Sequence, residues 1–303
     1  MSTDDDGAPP PEQPRRPRDE ASRRRRRRTL ALRRAGVAAV LAAIAATLAL
    51  VLTGGSPAPA RAAHHAPRGQ RHVVALSTAA RVARILTYTS YIARGARRRD
   101  DVALTFDDGP SPDTRRILAI LERAHVPATF FEVGVNVAAY PRITAELVRA
   151  RMEVGDHTQN HPPLARLRAA AQRAQLVDCA RQIVAAGAPF PTLFRPPYGS
   201  FSTTTLGVAR GLNMLMVLWS VDTGDYARPG VARIEYTALS GARGGGILLF
   251  HDGGGNRSQT IAALPSIIAQ LKRRGVHLVT VSQLLRDDPP PRSQPPPRSL
   301  AGD

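Results

Sequence analysis

The chain has 303 residues, of which 43% are hydrophobic and 22% are charged. This composition supplies enough apolar side chains for one sizeable core, and it excludes a wholly disordered protein, a collagen-like repeat and a disulfide scaffold. Residues 1–100 carry 20 basic and 7 acidic residues, whereas residues 101–303 carry 22 and 17. The net charge of +18 therefore belongs mainly to the N-terminal region, and it is poor evidence for a nucleic-acid-binding domain. Cys179 is the only cysteine, so no disulfide can form within the chain.

The first 52 residues have the pattern of a membrane anchor. Residues 1–34 are rich in Pro, Asp and Arg, include the arginine run Arg23–Arg28, and are predicted to be a disordered basic cytoplasmic segment. The next 18 residues, Ala35–Leu52, carry no charge. A helix of that length would cover about 27 Å, close to the thickness of the hydrocarbon core of a bilayer. Because basic flanks stay on the cytoplasmic side, we predict a single transmembrane helix at 35–52 with the rest of the chain outside.

Other interpretations of this region remain open. Ala58-Pro59-Ala60 resembles a signal-peptidase site, so the apolar segment could instead be removed and the chain secreted after cleavage near Ala60. The pair Arg33-Arg34 is also a weak feature of twin-arginine signals. An alanine-rich soluble helix and nucleic-acid binding through Arg23–Arg28 are less favoured. We predict contact with a membrane and none with nucleic acid.

Composition divides the rest of the chain into three parts. Residues 53–100 open with Gly, Ser, Pro and Ala, carry many arginines, and are predicted to be a linker with a short helix around Val73–Ile92. Residues 101–286 are the predicted catalytic domain. Residues 287–303 are a Pro-rich tail that is predicted to be disordered.

Short apolar runs alternate with amphipathic segments from Asp101 onwards, which predicts strands separated by helices. The predicted strands are Val102–Thr105, Thr129–Val133, Glu153–Asp156, Leu193–Arg195, Leu215–Trp219, Ile247–Phe250 and Val276–Thr280. The clearest helices are Asp113–Ala124, Pro141–Ala150, Arg168–Ala186 and Thr260–Arg274. This alternation predicts an α/β fold with a parallel sheet, closed or nearly closed into a (β/α)7 barrel.

Polar clusters follow five of these strands, at the end where such barrels carry their chemistry. The clusters are Thr105–Pro110 (TFDDGP), His157–Pro162 (HTQNHP), Arg195–Ser200 (RPPYGS), Trp219–Tyr226 (WSVDTGDY) and His251–Gly255 (HDGGG). Each cluster alone could be ordinary turn chemistry. Their placement on one rim predicts an active site.

Two histidines and two aspartates in these clusters suit a metal centre. His157 and His161 are four residues apart, can face one way on a helical turn, and with one carboxylate would bind a divalent ion while leaving positions for water and substrate. Asp107 and Asp108 are adjacent, and because successive side chains of a strand alternate, one can bind the ion while the other faces the substrate as a base. A pair of surface histidines is the alternative, and it is less favoured beside Asp-Asp-Gly.

A second set of residues suits proton transfer. His251 follows a strongly apolar strand, so it should lie at the barrel mouth, where it could protonate a leaving amine if Asp222 or Asp225 keeps it charged. Arg195 could pair with Asp107 and keep that carboxylate ionised and oriented.

Taken in order, these motifs resemble those of a known family. TFDDGP, the His-x-x-x-His-Pro of HTQNHP, RPPYG, the W-S-V-D-x-x-D segment and LFHDGGG look like the five motifs of the polysaccharide deacetylase domain, or NodB homology domain, of carbohydrate esterase family four. The resemblance covers about residues 100–286. It implies a distorted seven-stranded (β/α) barrel and metal-dependent removal of acetyl groups from N-acetylated sugars. The metal would usually be Zn²⁺, with Co²⁺ or another divalent ion as alternatives.

The resemblance also implies roles for the matching positions. The metal ligands would be Asp108, His157 and His161; the general base Asp107, oriented by Arg195; and the general acid His251, tuned by Asp225. The backbone N–H of Tyr198 would be an oxyanion donor, and Leu249 a wall of the acetyl pocket, with Trp219 and Tyr226 also expected to contact substrate. Tyr226 stands where the family usually has Trp, which leaves the shape of the acetyl pocket and the substrate preference open.

We therefore expect a monomeric enzyme at the cell membrane that deacetylates N-acetylglucosamine residues of an extracellular polysaccharide. Peptidoglycan is the favoured substrate because a short anchor and linker would hold the barrel near the wall. The alternatives are chitooligosaccharides, an exopolysaccharide, and a non-catalytic wall-binding barrel. The intact set of Asp107, His157, His161 and His251 counts against the last.

Overall fold

A computed structural model describes residues 77–292 of the chain. The predicted basic segment 1–34, the predicted membrane helix 35–52, the first part of the predicted linker and residues 293–303 lie outside the described residues. Within residues 77–292, none of the helices has both the length and the apolar character that a membrane span requires.

Helices and strands alternate along the described residues. The helices are α1 (Thr78–Leu86), α2 (Pro112–Arg123), α3 (Gly134–Ala139), α4 (Pro141–Arg149), α5 (Ala169–Ala185), α6 (Thr203–Gly211), α7 (Val231–Gly241), α8 (Ser258–Arg273) and α9 (Val281–Asp287). The strands are β1 (Tyr91–Ile92), β2 (Asp101–Gly109), β3 (Thr129–Glu132), β4 (Glu153–Asp156), β5 (Leu193–Phe194), β6 (Leu215–Val217), β7 (Val221–Asp222), β8 (Gly246–His251) and β9 (His277–Val279).

The described strands form one curled, parallel sheet of nine strands in the order β1-β6-β5-β4-β3-β2-β8-β7, with β9 also paired to β2. Strand β2 is the longest and lies between β8 on one edge and, in succession, β9 and β3 on the other. In the part of the chain that is described, no pairing joins the outer strands β1 and β7, so the barrel is open there. The predicted α/β parallel sheet is confirmed as a curled half-barrel.

The two faces of β2 bury different sets of apolar side chains. Val102, Leu104 and Phe106 face the helices α2, α7 and α8, and the ring of Phe106 stacks on Phe130 and Phe250 at centroid distances of 5.0 and 5.6 Å. Ala103 belongs to a second cluster with residues of α1 and α9. Because side chains alternate along a strand, the face that carries Ala103 also carries Thr105 and Asp107. The second cluster therefore lies beneath the polar residues at the end of β2.

The folded region begins earlier than the sequence predicted. Helix α1 and strand β1 lie within residues 53–100, the predicted linker, yet Val82, Ile85 and Leu86 are buried and β1 pairs with β6. These positions are three and four apart, the spacing of a helix with one buried face. A strand of two residues is too short for its own sequence pattern, which is why β1 and β7 were not among the predicted strands.

The folded region also ends later than the predicted boundary at residue 286. Helix α9 runs to Asp287, and the side chain of Asp288 is buried. Its carboxylate accepts hydrogen bonds from the backbone N–H groups of Arg97 and Arg98 at 2.7 and 3.2 Å. The start of the Pro-rich tail is thus packed against the segment that leads into β2.

We expect α1 to contribute to the stability of the barrel. Val82→Ala, at a side chain that is 1% exposed, should lower the free energy of unfolding by about 1.5–3 kcal/mol. Val184→Ala, at a helical position that is 46% exposed, removes the same atoms and should change it by less than about 0.5 kcal/mol. Chemical denaturation of the two variants checks this, and equal losses would show that α1 does not belong to the core.

Candidate active site

The carboxyl ends of the parallel strands surround a cleft of about 710 Å³. Nine of the predicted site residues line it: Asp107, Asp108, His157, His161, Tyr198, Trp219, Tyr226, Leu249 and His251. The other two, Arg195 and Asp225, are buried behind the cleft wall, where each contacts a lining residue. The structure therefore brings together all of the residues that the sequence assigned to the site.

The side chains of the two aspartates in the Asp-Asp-Gly motif point in different directions, and the alternation of side chains along a strand does not explain this. Asp107 is the last residue of β2 that pairs with β8, opposite His251. The register with β3 shifts between Asp107 and Gly109, and Asp108 has a left-handed backbone with a φ of 73°. The two side chains do point different ways, as expected, but the reason is not the alternation of side chains along a strand. A bulge turns the Asp108 side chain towards the histidines.

Asp108, His157 and His161 form a set that could hold one metal ion. The Asp108 Oδ1 atom lies 3.0 Å from His161 Nε2 and 3.5 Å from His157 Nε2. One potential ligand atom from each residue lies within 4.8 Å of the others. Two imidazoles and a carboxylate are donors that Zn²⁺ and related divalent ions accept, and three protein ligands leave further coordination positions open.

The two histidines do not sit on a helical turn, as the four-residue spacing suggested. His157 follows β4, and the chain then turns twice through left-handed residues, Thr158 with a φ of 70° and His161 with a φ of 57°. The Asp156 carboxylate accepts the Thr158 N–H at 2.8 Å, and the Thr158 hydroxyl accepts the His161 N–H at 3.1 Å. A loop with its own hydrogen bonds therefore brings the imidazoles together.

Each imidazole is oriented by a partner at its other nitrogen. His157 Nδ1 lies 2.8 Å from the Arg195 carbonyl oxygen, and His161 Nδ1 lies 3.1 Å from the Tyr198 hydroxyl. A carbonyl can only accept, so His157 donates through Nδ1. Its Nε2 atom faces Asp108, to which it donates when the imidazole is charged, whereas a neutral imidazole would offer the Nε2 lone pair to a metal ion. Burial would raise the pKa of Asp108, but its hydrogen bonds to the two histidines outweigh burial and hold this pKa well below its usual range.

Asp107 is held by a buried guanidinium. Arg195 is 0% exposed and donates from Nη1 to Asp107 Oδ1 at 2.7 Å and to the Thr105 hydroxyl at 2.8 Å. The second oxygen of Asp107 lies 3.8 Å from His157 Nε2, on the side of the candidate metal site. One oxygen of the Asp107 carboxylate is therefore anchored by Arg195, while the other faces the candidate metal site, where it could act as a base.

His251 lies across the cleft and is paired with Asp225. The His251 Nδ1 atom is 2.7 Å from Asp225 Oδ1, and Asp225 Oδ2 accepts the His251 N–H at 2.9 Å and the Thr260 hydroxyl at 2.7 Å. Burial disfavours the charged imidazole, but Asp225 outweighs this effect and raises the pKa of His251. Asp222, the alternative partner, is exposed and accepts from the Gly224 N–H instead.

Leu249 and three aromatic residues, the predicted substrate-binding side chains, also line the cleft. Leu249 and Trp219 line the cleft, while Tyr198 and Tyr226 are more than half exposed at its rim. Tyr226 meets the ring of His251 edge-on at a centroid distance of 5.3 Å. Tyr198 has a left-handed backbone with a φ of 58°.

The cleft also contains residues that were not predicted, including Asn136, Asn160 and Arg257. Asn136 lies three residues beyond the end of the predicted second strand. A polar residue just after a strand of the predicted barrel is the feature of the sequence that could have identified it as a cleft residue. Asn160 stands inside the histidine motif, and Arg257 follows the His251–Gly255 cluster by two residues.

Comparison with known proteins places this site in a family. The polysaccharide deacetylase family matches residues 94–217. The chain is 37% identical over 188 residues to a peptidoglycan-N-acetylglucosamine deacetylase of Bacillus cereus, covering 61% of this chain and 88% of that protein. It is 38% identical over 196 residues to a chitooligosaccharide deacetylase of Bradyrhizobium sp., covering 60% of this chain and 90% of that protein.

A solved structure supports the same assignment. The crystal structure of a peptidoglycan N-acetylglucosamine deacetylase in complex with 4-naphthalen-1-yl-N-oxidanyl-benzamide matches with a TM-score of 0.64 and 32% identity, covering 67% of this chain and 95% of that one. Sequence similarity over nearly the whole length of these relatives, the shared fold and the clustered motif residues together show that the chain belongs to the polysaccharide deacetylase family, carbohydrate esterase family four, whose deacetylases hydrolyse N-acetyl amides.

Proposed function

We propose that this deacetylase is metal-dependent and removes acetyl groups from N-acetylglucosamine residues of an extracellular polysaccharide, with peptidoglycan as the favoured substrate. One observation carries the proposal: a candidate metal site, an anchored carboxylate and a carboxylate-paired histidine face the same cleft. Hydrolysis of an amide needs an activated water, a base and an acid for the leaving amine, and this cleft has a group for each.

Asp108, His157 and His161 would hold the divalent ion, with Zn²⁺ the first choice and Co²⁺ or another divalent ion as alternatives. Such an ion supplies a Lewis acid for the acetamide carbonyl and for the attacking water. Asp107 accepts the proton of the water through the oxygen that Arg195 leaves free. His251, kept charged by Asp225, donates a proton to the departing amine. The Tyr198 amide donates to the oxyanion, and Leu249, Trp219 and Tyr226 enclose the acetyl group and the sugar.

The choice of glycan follows from similarity and from the expected location. The two relatives named above are deacetylases of peptidoglycan N-acetylglucosamine and of chitooligosaccharide, so both substrate classes are candidates for this chain. The predicted anchor at 35–52 favours the wall polymer, because a tethered barrel would meet that polymer first. A monomer at the membrane with its barrel outside, or a secreted form cleaved near Ala60, is consistent with this assignment.

Acetate release tests the function directly. The full-length protein should release acetate from acetylated glucosamine oligomers and peptidoglycan fragments, and a chelator should abolish this activity until Zn²⁺ or Co²⁺ is restored. Asp107→Asn should lower kcat at least about 100-fold. The matched variant Asp178→Asn, at a half-exposed position of α5 away from the cleft, should leave kcat unchanged. Binding of glycan without acetate release would favour the non-catalytic alternative.

The metal ligands are tested by direct titration. His161→Ala should weaken Zn²⁺ binding by the metal-free protein at least about tenfold, because it removes one of three ligands. His277→Ala, which changes a histidine at the opposite end of the sheet, should leave the affinity unchanged. Isothermal titration calorimetry measures both, and equal affinities in the two variants would exclude His161 as a ligand.

The acid is tested by the pH dependence of kcat/KM. His251 must be protonated to act, so activity should fall as the pH rises through its raised pKa. Asp225→Asn removes the charge that raises this pKa, and the alkaline limb should therefore move to lower pH. Asp222→Asn should leave that limb in place, because Asp222 bonds to Gly224 rather than to His251. If Asp222→Asn alone moves the limb, Asp225 is not the partner.

A further inference from the structure

Helix α3 lies between the two segments that carry the candidate metal ligands. The side-chain amide of Asn136 donates from Nδ2 to the backbone carbonyl of Asp108 at 2.8 Å. The backbone N–H groups of Gly134 and Val135 donate to the carbonyls of Thr158 and Gln159, each at 3.0 Å. Helix α3 is therefore hydrogen-bonded both to the backbone of Asp108 and to the loop of residues 157–161, which we call the histidine loop.

The backbone of Asp108 needs such support. Its φ of 73° lies in the left-handed region, which is uncommon for residues other than glycine, although Asp adopts it more readily than most. Contacts from the surroundings therefore help to hold this conformation. On one side the Asp108 carbonyl is confined by Gly253, where an added Cβ would lie 2.0 Å from that oxygen. On another side it accepts the Asn136 amide. These two contacts hold the backbone carbonyl of Asp108 in place.

The histidine loop is fitted to α3 just as closely. An added Cβ on Gly134 would lie 2.1 Å from Gln159 Oε1, so the helix and the loop leave no space between them. Thr158 and His161 are both left-handed, and the Thr158 carbonyl accepts the Gly134 N–H. The separation between Asp108 and the two imidazoles is thus set through α3, which contacts both sides.

We propose that Asn136 is a positioning residue of the metal centre: its amide fixes the left-handed Asp108, and this sets the distance from Asp108 Oδ1 to His157 and His161. The inference rests on the metal centre of the proposed function and adds a residue outside the five motifs. Groups that orient metal ligands from behind typically contribute about 10–100-fold to metal affinity. Asn136 needs no contact with the ion to have such an effect.

Two other possible roles of Asn136 predict different effects of its replacement on KM, metal affinity and melting temperature. Asn136 lines the cleft, so it could bind substrate, in which case its replacement would raise KM and leave metal affinity unchanged. It could also serve only to stabilise the fold, in which case its replacement would lower the melting temperature of the metal-free protein.

The informative variant is Asn136→Asp. It keeps the shape of the side chain, replaces the donor by an acceptor, and adds a negative charge near the ion. Charge alone would tighten the binding of a cation, whereas loss of the hydrogen bond to Asp108 would weaken it. Asn160→Asp is the matched control, because it adds the same charge to the same cleft next to His161. In the described part of the chain, the Asn160 side chain makes no hydrogen bond that would be lost.

The measurement is the Zn²⁺ affinity of the full-length, metal-free protein, determined in competition with a chromophoric chelator. We expect Asn136→Asp and Asn136→Ala to weaken binding about tenfold or more, and Asn160→Asp to leave it unchanged or tighter. The visible spectrum of the Co²⁺ form should change in the Asn136 variants, because the ligand geometry changes. The melting temperature of the metal-free protein should stay within a few degrees of the parent.

Each other outcome overturns the inference. If Asn136→Asp binds Zn²⁺ as tightly as Asn160→Asp, Asn136 does not position the centre, while acetate release by the parent would leave the proposed function intact. If the loss of affinity comes with a large fall in the melting temperature of the metal-free protein, Asn136 is a structural residue only. If the parent binds no Zn²⁺, Co²⁺ or other divalent ion, the metal centre is wrong and this inference falls with it.

Discussion

The site depends above all on a charge buried inside the barrel. Arg195 is 0% exposed, and its guanidinium donates to Asp107, to the Thr105 hydroxyl and to the carbonyls of Val217 and Leu218. A buried charge is tolerated only when it is paired and its N–H groups are satisfied, so the side chain has little freedom to move. The ring of Phe131 completes its surroundings, 4.2 Å from the guanidinium carbon.

The same residue links the two halves of the proposed chemistry. Its side chain anchors Asp107, and its own carbonyl accepts His157 Nδ1. The proposed base and one imidazole of the candidate metal site are thus oriented by opposite ends of one residue. Arg195 directly follows β5, so a shift of β5 relative to β2 would disturb both contacts.

Acidic side chains near the cleft behave in two ways. Asp108 faces imidazoles, which lower its pKa despite burial. Glu132, Asp156 and Asp252 are fully buried, and burial raises their pKa values to about 8, 7 and 7. Negative charge is therefore favoured on Asp108, which faces imidazoles, and disfavoured on these three buried carboxylates. Hydrogen bonds from Thr144 and Thr114 hold Glu132 and Asp252 in place without a charged partner.

Much of the fold could be predicted from local pattern. Each of the seven predicted strands overlaps a strand of the structure, because apolar runs bounded by polar loops are a strong signal for buried parallel strands. The missing elements are those whose signal is short or mixed. Strands β1 and β7 have two residues each, whereas the short helix predicted around Val73–Ile92 is present as α1 (Thr78–Leu86).

The sequence by itself determined the motif residues of the site, because residues at the ends of successive parallel strands meet at one edge of the sheet. Only the tertiary structure decided how the side chains of these residues are oriented. The left-handed backbone at Asp108 and His161, the choice of Asp225 over Asp222, and the contact of Asn136 with Asp108 all depend on atoms far apart in the chain. Residue spacing carries no information about such contacts, because they arise only when the loops of different strands pack against one another.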